Sequence, residues 1–162
     1  MNQKQQKAFD FAIAGKTIFI TGPAGTGKSY LLKQIIKYFT DLADINQDEN
    51  NYPAVTSLTG VSCIPLKGQT LHSWAGIGLG QGSVDQLIRR IKKYGKTKNW
   101  KSTDVLVIDE VSMMDMELFE KLHMIGSILR NQPDQLFGGI QLIISGDFLQ
   151  LPPVGVDQGK YF

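Results

Sequence analysis

Three features of the 162-residue sequence predict an α/β domain built on a mainly parallel central sheet. Short apolar stretches alternate with longer ones whose apolar residues recur at helical spacing, the pattern of repeated βα units. A glycine-rich turn stands directly after the first apolar stretch, and a continuous apolar run, Val105-Leu-Val-Ile108, ends on two acids. Such a run is expected where helices cover both faces of a sheet, and in these sheets ligands bind beyond the carboxyl ends of the strands.

The elements follow in order. Asn2 and Gln5 form a capping-box pattern, and Ala8, Phe9, Ala12 and Ile13 then mark the inward face of a helix that Gly15 closes. Thr17 to Thr21 reads as a short buried strand. The second helix carries Leu31, Leu32, Ile35, Ile36 and Phe39 as its apolar stripe. Residues 41–52, polar and rich in asparagine, are expected to be a mobile surface loop. Ala54 to Leu58 is the next strand. Ser83 and Gln86 cap a helix whose Val84, Leu87, Ile88 and Ile91 face inward and which Gly95 ends. Met114, Leu118, Leu122, Ile125 and Leu129 mark a further helix, and Ile140 to Ile144 is the fourth strand.

Composition narrows the class. An apolar content of 42% excludes wholesale disorder and fibrous repeats. The length fits one compact unit, residues 1–162, large enough to bury a core. The single cysteine, Cys63, cannot pair internally, which suits a reducing compartment. No apolar run approaches the roughly 18 residues of a membrane span, and the first residues lack the apolar stretch of a secretory signal. A soluble intracellular domain with no membrane partner is expected. The net charge of +2 hides an asymmetry: Arg89, Arg90, Lys92, Lys93, Lys96, Lys98 and Lys101 form a run without an acid, while the remainder carries ten bases against fifteen acids. That run is either a local contact for a polyanion or a solvated helix face.

Gly22-Pro23-Ala24-Gly25-Thr26-Gly27-Lys28-Ser29 fits G-x-x-x-x-G-K-[ST] between a strand and a helix, the context the pattern requires. Its glycines let successive backbone N–H groups curl around phosphate oxygens, and the helix that follows turns its positive end toward them. Lys28 would supply charge to the β- and γ-phosphates, and the Ser29 hydroxyl would ligate magnesium. These residues define a nucleoside triphosphate site in a P-loop three-layer domain. Asp109 and Glu110, delivered by the Val105–Ile108 run, are acids of the kind that hold magnesium opposite Ser29 and polarise a water for attack on the γ-phosphate. Paired acids at a strand end also serve as helix caps. Gln150, in the segment GDFLQLPP, is a candidate sensor of the γ-phosphate or part of a polar loop stiffened by two prolines.

Taken together, GPAGTGKS, VTSLTGVSC, GQTLHSWAGIGLG, VLVIDEVSMMD and FGGIQLIISGDFLQLPPV resemble the superfamily 1 helicases of the PIF branch, in that family's order and spacing from Gln5 to Val154. The segment EVSMMDMELFEKLHMIGSILR resembles the family's own signature, with His123 where an acid is more usual. The resemblance implies a RecA-like lobe that uses ATP and Mg2+ to drive 5′-to-3′ movement along single-stranded DNA and unwinding of duplexes and their junctions. Carried over, Lys28 and Ser29 bind phosphate and metal, Asp109 holds magnesium, Glu110 activates water, and Gln150 couples the γ-phosphate to DNA. Pro23, Ala24, Thr26 and Tyr30 join the nucleotide contacts. Gln5 would read the adenine edge through its amide, although it also fits a helix cap and follows Lys4 where the family usually has an acid.

The same resemblance assigns DNA contacts. Thr59 and Gly60 match the first DNA motif, and His72, Ser73 and Trp74 lie in the next, followed by glycines at 76, 78, 80 and 82 that leave room for a strand. Trp74 is either a stacking platform or a core residue, and His72 is either a contact or a structural histidine. Two histidines and one cysteine give no metal cluster, and the five methionines read as core filler. A motor of this type needs a second RecA-like lobe to contribute arginine fingers, and none is expected within these 162 residues. The alternative function is a nucleotide- or DNA-binding module with little turnover by itself.

Overall fold

The structure, a computed structural model, describes residues 1–47 and 52–147. In chain order the elements are α1 (Gln3–Ile13), β1 (Ile18–Thr21), α2 (Lys28–Asn46), β2 (Ala54–Ser57), α3 (Gly60–Cys63), β3 (Gln69–Thr70), α4 (Leu71–Ala75), α5 (Val84–Lys93), α6 (Thr97–Ser102), β4 (Val105–Asp109), α7 (Met116–Leu129) and β5 (Gln141–Gly146). The five strands form one sheet in the order β1-β5-β4-β2-β3, and every pairing is parallel. All carboxyl ends therefore open on one edge.

Side-chain alternation explains the three layers. Leu106 and Ile108 of β4, with Leu142 and Ile144 of β5, point into a core shared with α4, α5, α6 and α7. Val105, Val107 and Ile143 point the other way, against α1 and α2 through Ala12, Leu31, Leu32 and Ile35. Successive residues of a strand face opposite sides, so a sheet covered twice needs an unbroken apolar run. The two expected capping boxes are present: Asn2 and Gln5 exchange bonds at the start of α1, and Ser83 and Gln86 do so at the start of α5.

The structure departs from the sequence reading in several places. Residues 41–46 are not loop but the last turns of α2: Ala43 is buried, and Lys37 pairs with Asp41 one turn on. The polar residues there face outward from a helix that continues beneath them, and the hydroxyl of Tyr52 bonds Asp44. Residues 48–51 of the expected loop lie outside the described residues. A fifth strand, β3, and the short helix α6 were not expected. Ile13 lies exposed rather than inward. Of the methionines only Met114 fills the core, whereas Met1, Met113, Met116 and Met124 are exposed. His123 is structural. Its Nδ1 accepts the N–H of Phe137 at 3.1 Å, holding a residue with φ of 51°.

Arg130 closes the α6–α7 corner. Its Nε donates to Gly138 O at 2.7 Å, and its Nη1 lies 2.9 Å from Trp100 O, 3.1 Å from Lys101 O and 2.9 Å from Thr103 O. Truncation would strand these carbonyls in a partly buried corner. Arg130→Ala should lower unfolding free energy by about 3 kcal/mol, and Arg130→Lys, with no planar fork, should recover only part of it. Urea denaturation midpoints of the two variants test this.

Candidate functional site

The parallel sheet brings the sequence motifs to one edge. After β1 the chain turns through Gly22–Gly27 into α2. Gly25 and Gly27 take φ of 79° and 84°, a left-handed backbone that L side chains rarely adopt. Thr26 Oγ1 donates to Pro23 O at 2.8 Å and tightens the turn. Gly27 caps α2 without a side-chain bond, so the first-turn N–H groups of a 19-residue helix face the loop without a side-chain acceptor at the cap. Lys28 folds over this cradle: its Nζ donates to Gly22 O at 2.5 Å and Pro23 O at 3.0 Å. Pro23, Ala24, Ser29 and Tyr30 are exposed around the opening.

Two strands away, β4 ends on Asp109 and Glu110 follows it, both half-buried. Glu110 adopts a left-handed backbone, with φ of 58°, and its N–H donates to Asp109 Oδ1 at 3.0 Å. Burial pushes the Glu110 carboxyl above its ordinary range, the charge of Asp109 pushes it further, Lys28 opposes the rise, and Asp147 adds to it. Four charged groups from the ends of three strands thus converge: Lys28 after β1, Asp109 and Glu110 at β4, and Asp147 just after β5. Asp147 is buried, 4% exposed, and was missed by the sequence reading. The available signal was its place, one residue past a buried strand.

Gln5 meets the loop from the other side. Its Oε1 accepts the Asn2 N–H at 2.9 Å, while its Nε2 donates to Thr26 O at 3.4 Å. A Cβ on Gly27 would stand 2.6 Å from that nitrogen. Gln5 is therefore both cap and loop contact, and it lines a cavity of about 460 Å3 with Phe19, Thr26 and Lys28. A purine-sized group fits such a space. For magnesium, the donors on hand are the Ser29 hydroxyl and Asp109. Among the described residues no group of three or more His, Cys, Asp or Glu is arranged to hold a metal. That sparse donor set suits Mg2+, which keeps several waters and relies on one or two carboxylates plus phosphate oxygens.

The expected DNA residues lie at the other half of the same edge, past β2 and β3. Thr59 caps α3 by accepting the Ser62 N–H at 3.3 Å, and Gly60 is exposed beside it. Thr70 caps α4 through Ser73 N–H, leaving Ser73 exposed. Trp74 is a correction to the stacking expectation: it is 3% exposed and packs on Trp100 with ring centroids 4.8 Å apart. The backbone carbonyls of Trp74 and Ala75 accept from Asn99 and Trp100, which pins α4 to α6. Gln150 lies outside the described residues.

A glycine-lined amide cradle with a lysine over it, facing a strand-end acid pair across a parallel sheet, defines a P-loop nucleotide-binding domain of the RecA-like kind. The family model for PIF1-like helicases matches residues 1–161, and the chain belongs to that family. It is 52% identical over 141 residues to the ATP-dependent DNA helicase PIF1 of Emericella nidulans, covering 86% of this chain and 18% of that protein. A crystal structure of the Pif1 helicase from Candida albicans superposes with a TM-score of 0.83 at 44% identity, covering 96% of this chain and 34% of the other. The Pif1 helicase from Bacteroides in complex with ADP-AlF3 and ssDNA gives a TM-score of 0.67 at 27% identity, covering 97% of this chain and 34% of that one. The chain thus spans under a fifth of the length of that curated relative. No helix among the described residues is long and apolar enough to cross a membrane.

His72 supplies a pH-dependent readout for this edge. Burial holds its imidazole below the ordinary value, against the opposing charge of Asp115. A histidine with a lowered folded-state pKa contributes stability above its unfolded pKa and loses it as pH falls. The melting temperature of the protein relative to His72→Asn should therefore drop between about pH 7.5 and about pH 5.5. Thermal melts of both proteins across that range check the sign.

Proposed function

We propose that the chain is a RecA-like lobe of an ATP-driven DNA helicase, acting with a second lobe to move 5′ to 3′ on single-stranded DNA and to open duplexes at junctions. The observation that carries this reading is the convergence of Lys28, Asp109, Glu110 and Asp147 on one cleft, with the cradle of Gly22–Gly27 at its wall. The order of events follows from the residues. Backbone N–H groups of the loop and the α2 terminus bind the β- and γ-phosphates, and Lys28 exchanges its carbonyl partners for phosphate oxygens. Ser29 and Asp109 would hold Mg2+, which supplies charge neutralisation on the phosphates when bound. Glu110, its carboxyl raised by burial and by Asp109, is suited to accept a proton from the attacking water. Gln5 orients the base, and Gln150 is the proposed link between γ-phosphate and DNA.

Thr59, Gly60, Ser73 and His72 make the proposed strand contacts, through hydroxyls and backbone groups that position phosphates without reading sequence. Because they sit on the same strand-end edge as the nucleotide, hydrolysis at one half can alter grip at the other once a second lobe closes over both. That partner lobe would supply the arginine fingers.

An arginine finger is worth roughly 10³–10⁵ in rate, so the chain alone should bind ATP with Mg2+ yet turn it over very slowly. Lys28→Ala should abolish nucleotide binding measured by calorimetry, while Glu110→Gln should bind as tightly and remove the residual hydrolysis. Fast DNA-stimulated turnover by these 162 residues alone, or tight ATP binding by the Lys28 variant, would overturn the assignment.

A further inference from the structure

The basic run at 89–101 is not absorbed by the nucleotide cleft or by the strand contacts at Thr59 and Ser73. In the structure it divides between α5 and α6. Leu87, Ile88 and Ile91 bury one face of α5, and the other face presents Arg89, Arg90, Lys92 and Lys93, with Asp85 the one acid of the helix. Among the described residues the ion pairs are Lys37–Asp41, Lys121–Glu117 and Arg130–Asp104, and none includes a cation of the run. Arg90, Lys92 and Lys93 complement the negative end of α5. That role explains neither Arg89 nor the ring placed among them.

That ring is Tyr94, 58% exposed just past the end of α5. The Arg90 guanidinium lies 5.5 Å from its centroid and the Lys93 ammonium 5.8 Å. The chain before α5 also approaches Arg90: a Cβ on Gly78 would stand 2.5 Å from the guanidinium carbon. Arg90 is thus close both to a glycine backbone and to an aromatic ring. Arg89, Arg90, Lys93 and Tyr94, with Gln81 and Gln86, line an open groove of about 430 Å3. Gln81 also lines the adjoining cavity of about 450 Å3 that contains His72, Leu79 and Gly80. Gln81 lines both spaces, so the α5 groove adjoins the cavity at His72, which Asp115, Glu117 and Lys121 also line.

We propose that this α5 groove is a second nucleic-acid subsite, one that takes single-stranded DNA with phosphates on Arg89, Arg90 and Lys93 and a base stacked on Tyr94. Clustered cations around an exposed aromatic ring match what a single strand offers, a charged backbone with bases free to stack. A duplex keeps its bases stacked internally and would use the cations alone. The inference rests on the DNA-handling reading above and extends it to residues outside the family motifs quoted for that reading.

The test is a fluorescence anisotropy titration of labelled oligodeoxythymidylate with the full chain at several salt concentrations, with ATP binding measured in parallel. Replacing Arg89, Arg90 and Lys93 together by Ala should flatten the slope of log affinity against log salt by about 2, at roughly 0.7 per lost single-strand contact. Tyr94→Leu should weaken binding about five-fold or more, and Tyr94→Phe, which keeps the ring, should not. All variants should bind ATP as the parent does. An unchanged slope with intact ATP binding would overturn the α5 subsite and leave the helicase reading standing. A flattened slope with no effect of Tyr94→Leu would overturn the stacked-strand proposal in favour of a backbone-only contact. A parent chain that binds ATP but no strand would overturn the subsite, whereas loss of ATP binding in the parent would strike the nucleotide reading itself.

Discussion

The insertion of β5 between β1 and β4 fixes the geometry on which the nucleotide cleft depends. Thr21 pairs with Gly146, and Ile144 pairs with Ile108, so the phosphate loop and the acid pair stand two strand spacings apart on one edge. Parallel neighbours are about 4.8 Å apart, which leaves roughly 9–10 Å between the ends of β1 and β4. Direct contact between Lys28 and the acids would leave no room for a triphosphate, and a second intervening strand would move the charges further from one another. The middle strand must also end narrowly. A Cβ on Gly146 would stand 3.0 Å from Val111 Cγ1 and 3.2 Å from the Ser112 nitrogen, so the turn after Glu110 lies directly over the end of β5.

That arrangement holds because both faces of β4 and β5 are sealed. Leu106, Ile108 and Leu142 are fully buried on one side, and Val107 and Ile143 on the other. Hydroxyls stitch the next strand to β4: Thr56 Oγ1 donates to Val107 O at 2.7 Å and Ser57 Oγ to Asp109 O at 3.3 Å. The carbonyl of Asp109 is thereby held by the strand that leads into Thr59. Two side chains on β2, placed by its parallel register on β4, thus connect the acid pair to the proposed strand-binding edge.

Much of this was legible because it is local. The Gly22–Ser29 spacing, the unbroken Val105–Ile108 run and the two capping boxes each depend on residues within a few positions of one another. What stayed hidden depends on residues far apart. Strand β3 is two residues long and exists through pairing with Thr56 and Ser57, so no periodicity announces it. Trp74 and Trp100 form one buried pair across 26 positions, and either alone reads equally well as a platform or as core. Asp147 reaches the charge of Glu110 because β5 lies between β1 and β4, a pairing of distant segments. The end of α2 was obscured for the opposite reason: its polar residues are those a solvated helix face carries, and composition cannot tell that face from a loop.

The charges in the cleft are arranged against one another before any phosphate enters. Glu110 is raised by burial, by Asp109 and by Asp147, and among the described residues Lys28 is the positive group that opposes the rise. The Lys28 ammonium meanwhile donates to Gly22 and Pro23 carbonyls, on the loop rather than on the acids. Burial and two neighbouring carboxyls thus act against a charge on Glu110, a condition that a cation beside it would relieve. In the proposed reading the two ligands would favour each other: phosphate on the cradle would make a cation at Asp109 more favourable, and that cation would lower the repulsion felt by Glu110. A lysine bound directly to the acids would satisfy the cleft by itself and remove that coupling. Under the proposed function, a dependence of nucleotide binding on a divalent cation would follow from where Lys28 rests.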